Sequence, residues 1–129
     1  MAQASASFHE STDRLRPETM DRHRAIVSLM EELEAVDWYD QRVDAAGDDE
    51  LRAVLAHNRD EEKEHASMTL EWLRRHDPVW DEQLRNYLCT EKPILEVEKA
   101  IDEAEAATAS PSPGEGSLGI GSLRAAGPR

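Results

Sequence analysis

The sequence contains little of what stabilises or anchors many other classes of protein. Cys89 is its one cysteine, so a framework of disulfides within the chain is excluded, and a reducing cytoplasm is favoured. Aromatic residues make up 5% of the chain and hydrophobic residues 39%, which predicts a thin core. No apolar run is long enough to span a membrane, and the N-terminal MAQASASFHE lacks the apolar centre of a secretion signal. We therefore expect a cytoplasmic protein that completes its core by association.

Positive charge is also scarce. The chain has 15 Lys and Arg against 28 Asp and Glu, for a formal net charge of -13. Because such a chain repels phosphate groups, nucleic acid is not an expected partner. The excess of carboxylates would attract metal cations, but many acidic proteins bind none, so this feature alone indicates little.

Glycine and proline are few, and their positions divide the chain. No Gly or Pro interrupts residues 18–46, which follow Pro17 and predict one long helix. Gly47 is predicted to cap its C-terminus, and Asp48 or Asp49 to cap the N-terminus of a second helix over about 50–76. So short a connection predicts an antiparallel hairpin and an all-α fold.

Asp77-Pro78 is predicted to end the second helix and to begin a shorter third helix that reaches about Leu88. Beyond residue 102 the composition changes to Ala, Ser, Pro and Gly, which is typical of a linker. We therefore predict four segments: a mobile N-terminal segment (1–16), a helical domain (17–101), a flexible linker (102–116), and a docking peptide with its tail (117–129).

Helical periodicity predicts one apolar stripe along each long helix. In the first helix the stripe is Ala25, Leu29, Leu33, Val36 and Val43, and in the second it is Leu51, Val54, Leu55, Thr69, Trp72 and Leu73. Glu32 falls within the first stripe, and Glu62 and His65 fall within the second. A carboxylate on an apolar face costs several kcal/mol unless it is protonated, paired or bound to metal.

Glu62 and His65 are spaced i, i+3, so both side chains can reach one ion. A four-helix di-iron carboxylate site takes a Glu from each of two helices and Glu-x-x-His from each of two others. With Glu32, one chain supplies half of that set. A two-fold dimer of hairpins would supply the whole set in one four-helix bundle. The competing interpretation is a buried Glu–His pair without metal.

Carboxylates with one imidazole per ion suit iron, manganese or zinc. The expected reaction is oxidation of Fe(II) by dioxygen or peroxide, with Glu32 bridging two ions. Tyr39, at the edge of the stripe, is predicted either to hydrogen-bond a ligand carboxylate or to be a core aromatic.

Two further groups lie on other faces of the helices. Glu31, Glu34 and Trp38 line the side of the first helix opposite its stripe; acids there are usually only solvated, but Trp38 suggests an interface where cations could collect. Beside the second stripe lie His57, Glu61 and Glu64. They could form a secondary metal or interface site, or His57 could be a surface histidine that bonds to nearby acids.

The stretch from His23 to Tyr39, with HRAIV and EELEAVDWY, resembles the encapsulated ferritins of bacteria. So does His57–His65 (HNRDEEKEH), followed by MTLEWL, and the resemblance covers roughly residues 18–97. Separately, SLGIGSL at 117–123 resembles the peptides that load cargo into encapsulin shells.

The resemblance implies a ferritin-like four-helix bundle formed by dimers, five of which make an annular decamer. It implies an iron-oxidising centre at a dimer interface, with Glu32, Glu62 and His65 as iron ligands from each subunit. It also implies an outer metal-binding entrance with calcium or zinc at Glu31 and Glu34, beside Trp38. Leu118, Ile120 and Leu123 would bind the inner wall of an encapsulin shell, which would hold the mineral inside the nanocompartment.

The alternative function is a non-catalytic helical cargo or scaffold protein whose metals only stabilise the assembly. A rubrerythrin-like peroxide reductase lacks support, because one cysteine cannot form the four-cysteine iron site that such proteins often carry. Turnover of Fe(II) with oxygen consumption separates the ferroxidase from the scaffold.

Overall fold

The computed structural model describes residues 7–109, and this part of the chain is helical without strands. Its helices are α1 (Pro17–Ala45), α2 (Asp49–Arg75), α3 (Pro78–Tyr87) and α4 (Ile94–Ala109), preceded by a 3-10 turn at Thr12–Arg14. The predicted all-α class is confirmed. The chain divides into two compact units within α3, after Glu82, and the two long helices belong to the first.

Helices α1 and α2 pack along each other as an antiparallel hairpin, because residues 46–48 leave room only for a tight reversal. Pro17 occupies the start of α1, where the backbone N–H that proline lacks would have no helical partner. Asp48 is the N-cap of α2, and its Oδ2 accepts from the Leu51 backbone N–H at 2.8 Å. The ends of α1, α2 and α3 lie within one residue of the predicted ends.

The predicted capping role of Gly47 is wrong. Ala46 is the C-cap of α1, and no glycine in the described residues has a positive φ. The open carbonyls at this end are met instead by the Arg52 side chain, whose Nε donates to the Val43 carbonyl at 3.3 Å and whose Nη2 donates to the Ala46 carbonyl. A cation at the helix C-terminus thus does what a left-handed glycine would otherwise do.

The core of the hairpin is very small. Within residues 7–109 the buried side chains are Ala66 and Leu73, and Leu73 is fully enclosed. Leu33, Leu51 and Val54, which the periodicity predicts as parts of the apolar stripes, are each about half exposed. One partner helix covers only part of so wide a stripe, so the rest of the apolar surface stays open in the single chain.

An ionic network joins the end of α2 to α3. Arg74 binds both oxygens of Glu71, at 2.8 and 2.7 Å, and also donates to Asp81, while Arg75 donates to Glu71 at 2.7 Å. Hydrogen bonds first from Arg74 and then from Arg75 lower the pKa of Glu71 from 4.5 to about 2. Arg74 and Arg75 therefore stabilise the charged form of Glu71 in the folded protein.

Replacing Glu71 by Gln is expected to lower thermal stability at neutral pH and to matter less as the solution becomes acidic. Because the folded pKa of Glu71 is depressed, its contribution is complete above pH 4.5 and is lost as pH falls toward about 2. Melting followed by circular dichroism at a series of pH values measures the difference between the two chains. Glu82→Gln, at an exposed position of α3, is the control; a Glu71→Gln effect that is constant across this range would contradict the prediction.

Helix α4 extends eight residues beyond the end of the predicted helical domain. Residues 102–109, which were predicted as part of a flexible linker, are therefore helical. Alanine and glutamate dominate this stretch and are strong helix formers, whereas the Ser, Pro and Gly residues begin only at Ser110. In the second unit, burial and then the charges of Glu98, Asp102 and Glu105 raise the pKa of Tyr87. The rest of the predicted linker and the docking peptide lie outside the described residues.

Candidate metal centre

Glu32 of α1 and Glu62 and His65 of α2 meet on the hairpin. One ligand atom from each lies within 4.8 Å of the others. His65 Nδ1 is 3.6 Å from Glu62 Oε2 and 3.8 Å from Glu32 Oε2. The i, i+3 spacing puts Glu62 and His65 on one face of α2, and the antiparallel packing brings Glu32 opposite them.

The surroundings of Glu32 raise the pKa of its carboxyl. A hydrogen bond with Glu62 is the first cause that raises the pKa of Glu32, followed by partial burial and the charge of Glu62, while His65 opposes the shift. A neighbouring carboxylate disfavours the charged form of Glu32. A divalent cation between the two side chains would relieve this repulsion, which is the behaviour expected of metal ligands.

The group is incomplete as a metal site within one chain. Three side chains supply fewer ligands than the roughly four that zinc takes or the roughly six to eight that calcium takes. The side chains of Glu32 and Glu62 are about a quarter exposed, and that of His65 is 41% exposed. The open side of the group therefore has room for further ligands from outside the chain.

The surface next to the group is apolar. Leu51 lies two heptads before His65 and Trp72 lies one heptad after it, so all three share a face of α2. Leu51 is 49% exposed and Trp72 is also open to solvent. Exposed large apolar side chains beside half of a ligand set are the arrangement expected at a subunit interface.

Tyr39 is half-buried, and the guanidinium carbon of Arg42 lies 5.4 Å from its ring centroid. The same guanidinium carbon lies 6.0 Å from the ring centroid of the exposed Trp38. Arg42 thus links the two aromatic side chains along α1 through cation–π contacts. The predicted contact of Tyr39 with a ligand carboxylate stays a prediction.

Glu31 is exposed and close enough to Glu32 for its charge to add to the raised pKa of that carboxyl. Glu34 is half-buried. Within the described residues of one chain, neither belongs to a group of three or more metal-binding side chains. Their predicted role as a metal entrance depends on other subunits and stays a prediction.

His57, Glu61 and Glu64 line a surface depression of about 200 Å³ together with Asp60. His57 Nε2 lies 3.1 Å from Glu61 Oε1, and both side chains are open to solvent. The structure also groups Glu61 and Glu64 with His65, with their ligand atoms within 4.8 Å of one another. This second membership of His65 was not predicted from the sequence, although the i, i+4 spacing from Glu61 indicates that these two side chains are near each other.

Residues 7–91 match the EncFtn-like family. The chain belongs to that family. This EncFtn-like protein is 64% identical over 129 residues to an encapsulated ferritin-like protein of Rhodospirillum rubrum, a match that covers 96% of this chain and 92% of the relative. Membership supports the ferritin-like helical fold that the sequence predicts.

Other relatives agree with this assignment. A ferritin-like protein of Thermotoga maritima is 55% identical over 92 residues, which are 71% of this chain and 81% of the relative. An encapsulin nanocompartment cargo protein of Myxococcus xanthus is 32% identical over 125 residues, covering 91% of this chain and 95% of the relative. Both names support an association of the EncFtn-like family with ferritins and encapsulin cargo.

A crystal structure of protein ne0167 from Nitrosomonas europaea has the same fold, with a TM-score of 0.66 at 64% identity. It covers 68% of this chain and 97% of the other. In the part of this EncFtn-like protein that the structure describes, no helix is both long and apolar enough to cross a membrane. Leu118, Ile120 and Leu123 lie outside the described residues.

Proposed function

We propose that this protein is a ferroxidase, which oxidises Fe(II) to Fe(III) at a di-iron site formed between two subunits. The observation that carries the proposal is the meeting of Glu32, Glu62 and His65 on a half-open, apolar side of the hairpin. Membership of the EncFtn-like family supports iron as the metal and a ferritin-like bundle as the assembly.

A two-fold axis beside the group would complete it. The two-fold operation brings the same patch of each subunit together, so every ligand of one chain appears again from its partner. Two copies of Glu32, Glu62 and His65 make the four glutamates and two histidines of a di-iron carboxylate centre. The same contact would cover the open apolar surface around Leu51 and Trp72, which one chain leaves exposed.

In this centre Fe(II) is the substrate, and the residues hold two ions close enough to act on one oxidant. Two Fe(II) ions supply two electrons, which with two protons reduce dioxygen to hydrogen peroxide, or hydrogen peroxide to water. Glu32, whose pKa is raised first by its hydrogen bond with Glu62, would bind the ions as a carboxylate. His65 supplies an imidazole nitrogen to one ion, and Tyr39 orients a ligand carboxylate.

We place the other predicted groups around this centre. Glu31 and Glu34, repeated around an annular decamer of five dimers, would collect cations beside Trp38, with calcium or zinc as resting occupants. His57 would bind cations on the outside with Glu61 and Glu64. A large negative charge on the whole chain supports the attraction of cations to such surfaces.

Oxygen consumption tests the activity directly. Fe(II) is added anaerobically to the purified full chain, oxygen is admitted, and ferric absorbance and oxygen uptake are followed together. A ferroxidase oxidises Fe(II) much faster than buffer does and consumes oxygen in proportion. The alternative is a non-catalytic cargo or scaffold protein that metal only stabilises. A chain that assembles when metal is added, but oxidises Fe(II) no faster than buffer does, would favour it.

We also propose that the protein is carried inside an encapsulin nanocompartment, bound to the shell through Leu118, Ile120 and Leu123. The names of the Rhodospirillum and Myxococcus relatives, an encapsulated ferritin-like protein and an encapsulin cargo protein, support this location. Apolar side chains spaced by small residues suit an extended peptide that docks in pockets of a partner.

Deleting residues 117–129 is expected to abolish loading into a co-expressed encapsulin shell and to leave iron oxidation intact, because the candidate centre lies on α1 and α2. Co-purification with the shell measures loading, and the oxygen assay measures oxidation. A second variant, the full-length chain that carries Leu118→Asp, Ile120→Asp and Leu123→Asp together, keeps the length of the tail. It should behave as the deletion does. Normal loading of either variant would overturn the role of the peptide.

A further inference from the structure

One face of α2 changes character along its length. Positions seven residues apart share a helix face, and on this face they hold Arg52, Arg59, Ala66 and Leu73. Ala66 and Leu73 are the buried side chains of the described residues, whereas the two arginines are only partly buried. The half of this face near the 46–48 connection therefore carries guanidinium groups where the other half carries apolar side chains.

Arg59 binds a carboxylate on each of the two long helices. Its Nη1 donates to Asp40 Oδ1 of α1 at 3.0 Å, and its Nε donates to Asp60 Oδ1 of α2 at 3.1 Å. The Arg59 side chain is only 24% exposed. A guanidinium is planar and donates in fixed directions, so the bond to Asp60 restrains the plane from which Arg59 reaches Asp40.

Ion pairs between the two long helices are few. Among residues 7–109, two such pairs join α1 to α2: Asp40 with Arg59, and Glu32 with His65 of the candidate centre. Apolar packing is non-directional, so the burial of two side chains fixes the position of one helix along the other less closely than a charged hydrogen bond does. Arg59 thus adds a directional contact between the connection and the centre.

We propose that Arg59, through Asp40, is a positioning residue that sets α1 along α2 so that the three ligands of the candidate centre meet. Its effect on oxidation rests on the proposed function, whereas the placement of the three side chains does not. Arg59 precedes Glu62 by three residues, less than one helical turn, so α2 transmits its position directly to that ligand. Asp40 is joined to Glu32 by eight residues of uninterrupted helix.

The centre is sensitive to this placement because its ligands come from both helices. Glu32 is the ligand on α1, so its distance from the pair on α2 depends on how the helices meet rather than on the geometry of either one. A misplacement of about 1 Å that originates far from the chemistry can lower a rate by about 100-fold. In a two-fold dimer the same error would occur twice in one centre.

An ordinary surface ion pair is the simpler explanation of Arg59 and Asp40, and exposed pairs of this kind contribute little to stability. That explanation does not account for a guanidinium that is three-quarters enclosed and bound on two sides. Nor does it account for the position of Arg59, one heptad before the buried Ala66 on the same face of α2.

Breaking the pair from either side tests the role. Arg59→Gln and Asp40→Asn are each expected to lower the oxidation rate at saturating Fe(II) by about tenfold. Asp40→Arg with Arg59→Asp should restore most of that rate, because the reversed pair can form across the same gap. The control is Asp21→Asn with Arg24→Gln, which removes an exposed ion pair within α1 and should keep the parental rate. The rates are compared at protein concentrations at which sedimentation shows every chain to be dimeric.

Cobalt absorption provides a readout that a loss of stability alone would not change. Co(II) bound in place of Fe(II) has visible bands that depend on the number and arrangement of its ligands. The parental bands should change in either single variant and return in the reversed pair, at a temperature well below the melting of each chain by circular dichroism. Arg59→Lys, which keeps the charge without the planar fork, should lie between the parent and Arg59→Gln.

Parental rates and parental cobalt bands in both single variants would overturn the positioning role. So would a reversed pair that performs no better than the single variants, or an equal loss in the control pair. These results leave the ferroxidase proposal standing, because the parent still oxidises Fe(II). Conversely, a parent no faster than buffer, whose cobalt bands change in the single variants and return in the reversed pair, would sink the proposed function alone.

Discussion

Alanine at Glu32, Glu62 or His65 slows the oxidation of Fe(II) by at least about 100-fold, if the centre is as proposed. Mutation of partners one step removed from a metal already costs about 10- to 100-fold in affinity or activity, so loss of a direct ligand should cost no less. Two-fold symmetry doubles each change, because the same position contributes twice to one centre. The anaerobic addition of Fe(II) followed by oxygen measures the three rates beside the parent.

The controls are Glu82→Ala and His9→Ala, which remove one carboxylate or one imidazole from exposed positions elsewhere in the chain. They should oxidise Fe(II) at the parental rate. Near-parental rates in all three ligand variants, with helical content unchanged, would show that oxidation occurs elsewhere. A loss confined to His65 would point to the imidazole alone and would contradict a carboxylate-bridged pair of ions.

Leu51→Asp should abolish oxidation although every proposed ligand is retained. Leu51 is 49% exposed in the single chain, so the hairpin itself tolerates a polar side chain there. In a two-fold interface beside His65 the new charge would be buried twice, and each burial costs several kcal/mol. Since about 1.4 kcal/mol is a factor of ten, dimerisation should weaken by at least about 100-fold. Sedimentation measures the dimer, and the oxygen assay measures the consequence.

Protein concentration separates this effect from damage to the ligands. Oxidation per chain of Leu51→Asp should recover as the protein concentration is raised, because mass action restores the dimer. The Glu32→Ala rate should not recover. Leu51→Met retains an apolar side chain of similar size and should behave as the parent does. A monomeric Leu51→Asp protein that oxidises Fe(II) at the parental rate would exclude a centre shared between subunits.

The sequence predicts the helices and the proximity of Glu32, Glu62 and His65 well, for a physical reason. Long uninterrupted stretches between Pro17, Gly47 and Pro78 leave the chain no local alternative to helix, and the observed ends lie close to the predicted ones. Glu62 and His65 come together because both are set by the geometry of a single helix. Glu32 joins them once the short connection forces the two helices to run antiparallel.

Features that depend on contacts between distant residues or between subunits were not predictable from the spacing within one helix. The C-terminus of α1 is capped by the side chain of Arg52, nine residues beyond Val43, and periodicity contains no information about that contact. Leu33 follows the apolar stripe but is about half exposed in the single chain. In the proposed dimer a second hairpin would cover it. In the second group around His65, the i, i+4 spacing indicates the nearness of Glu61, but the nearness of Glu64, its neighbour in sequence, was visible only in the structure.

The scarcity of buried side chains in the hairpin has a consequence for the life of the protein in the cell. Within residues 7–109 a single chain encloses little more than Leu73, so we expect it to open readily, and open chains are the ones that proteases cleave. Chains without a partner are therefore removed first, and those that have found one survive. Turnover would in this way hold the amount of the protein close to the amount that has assembled.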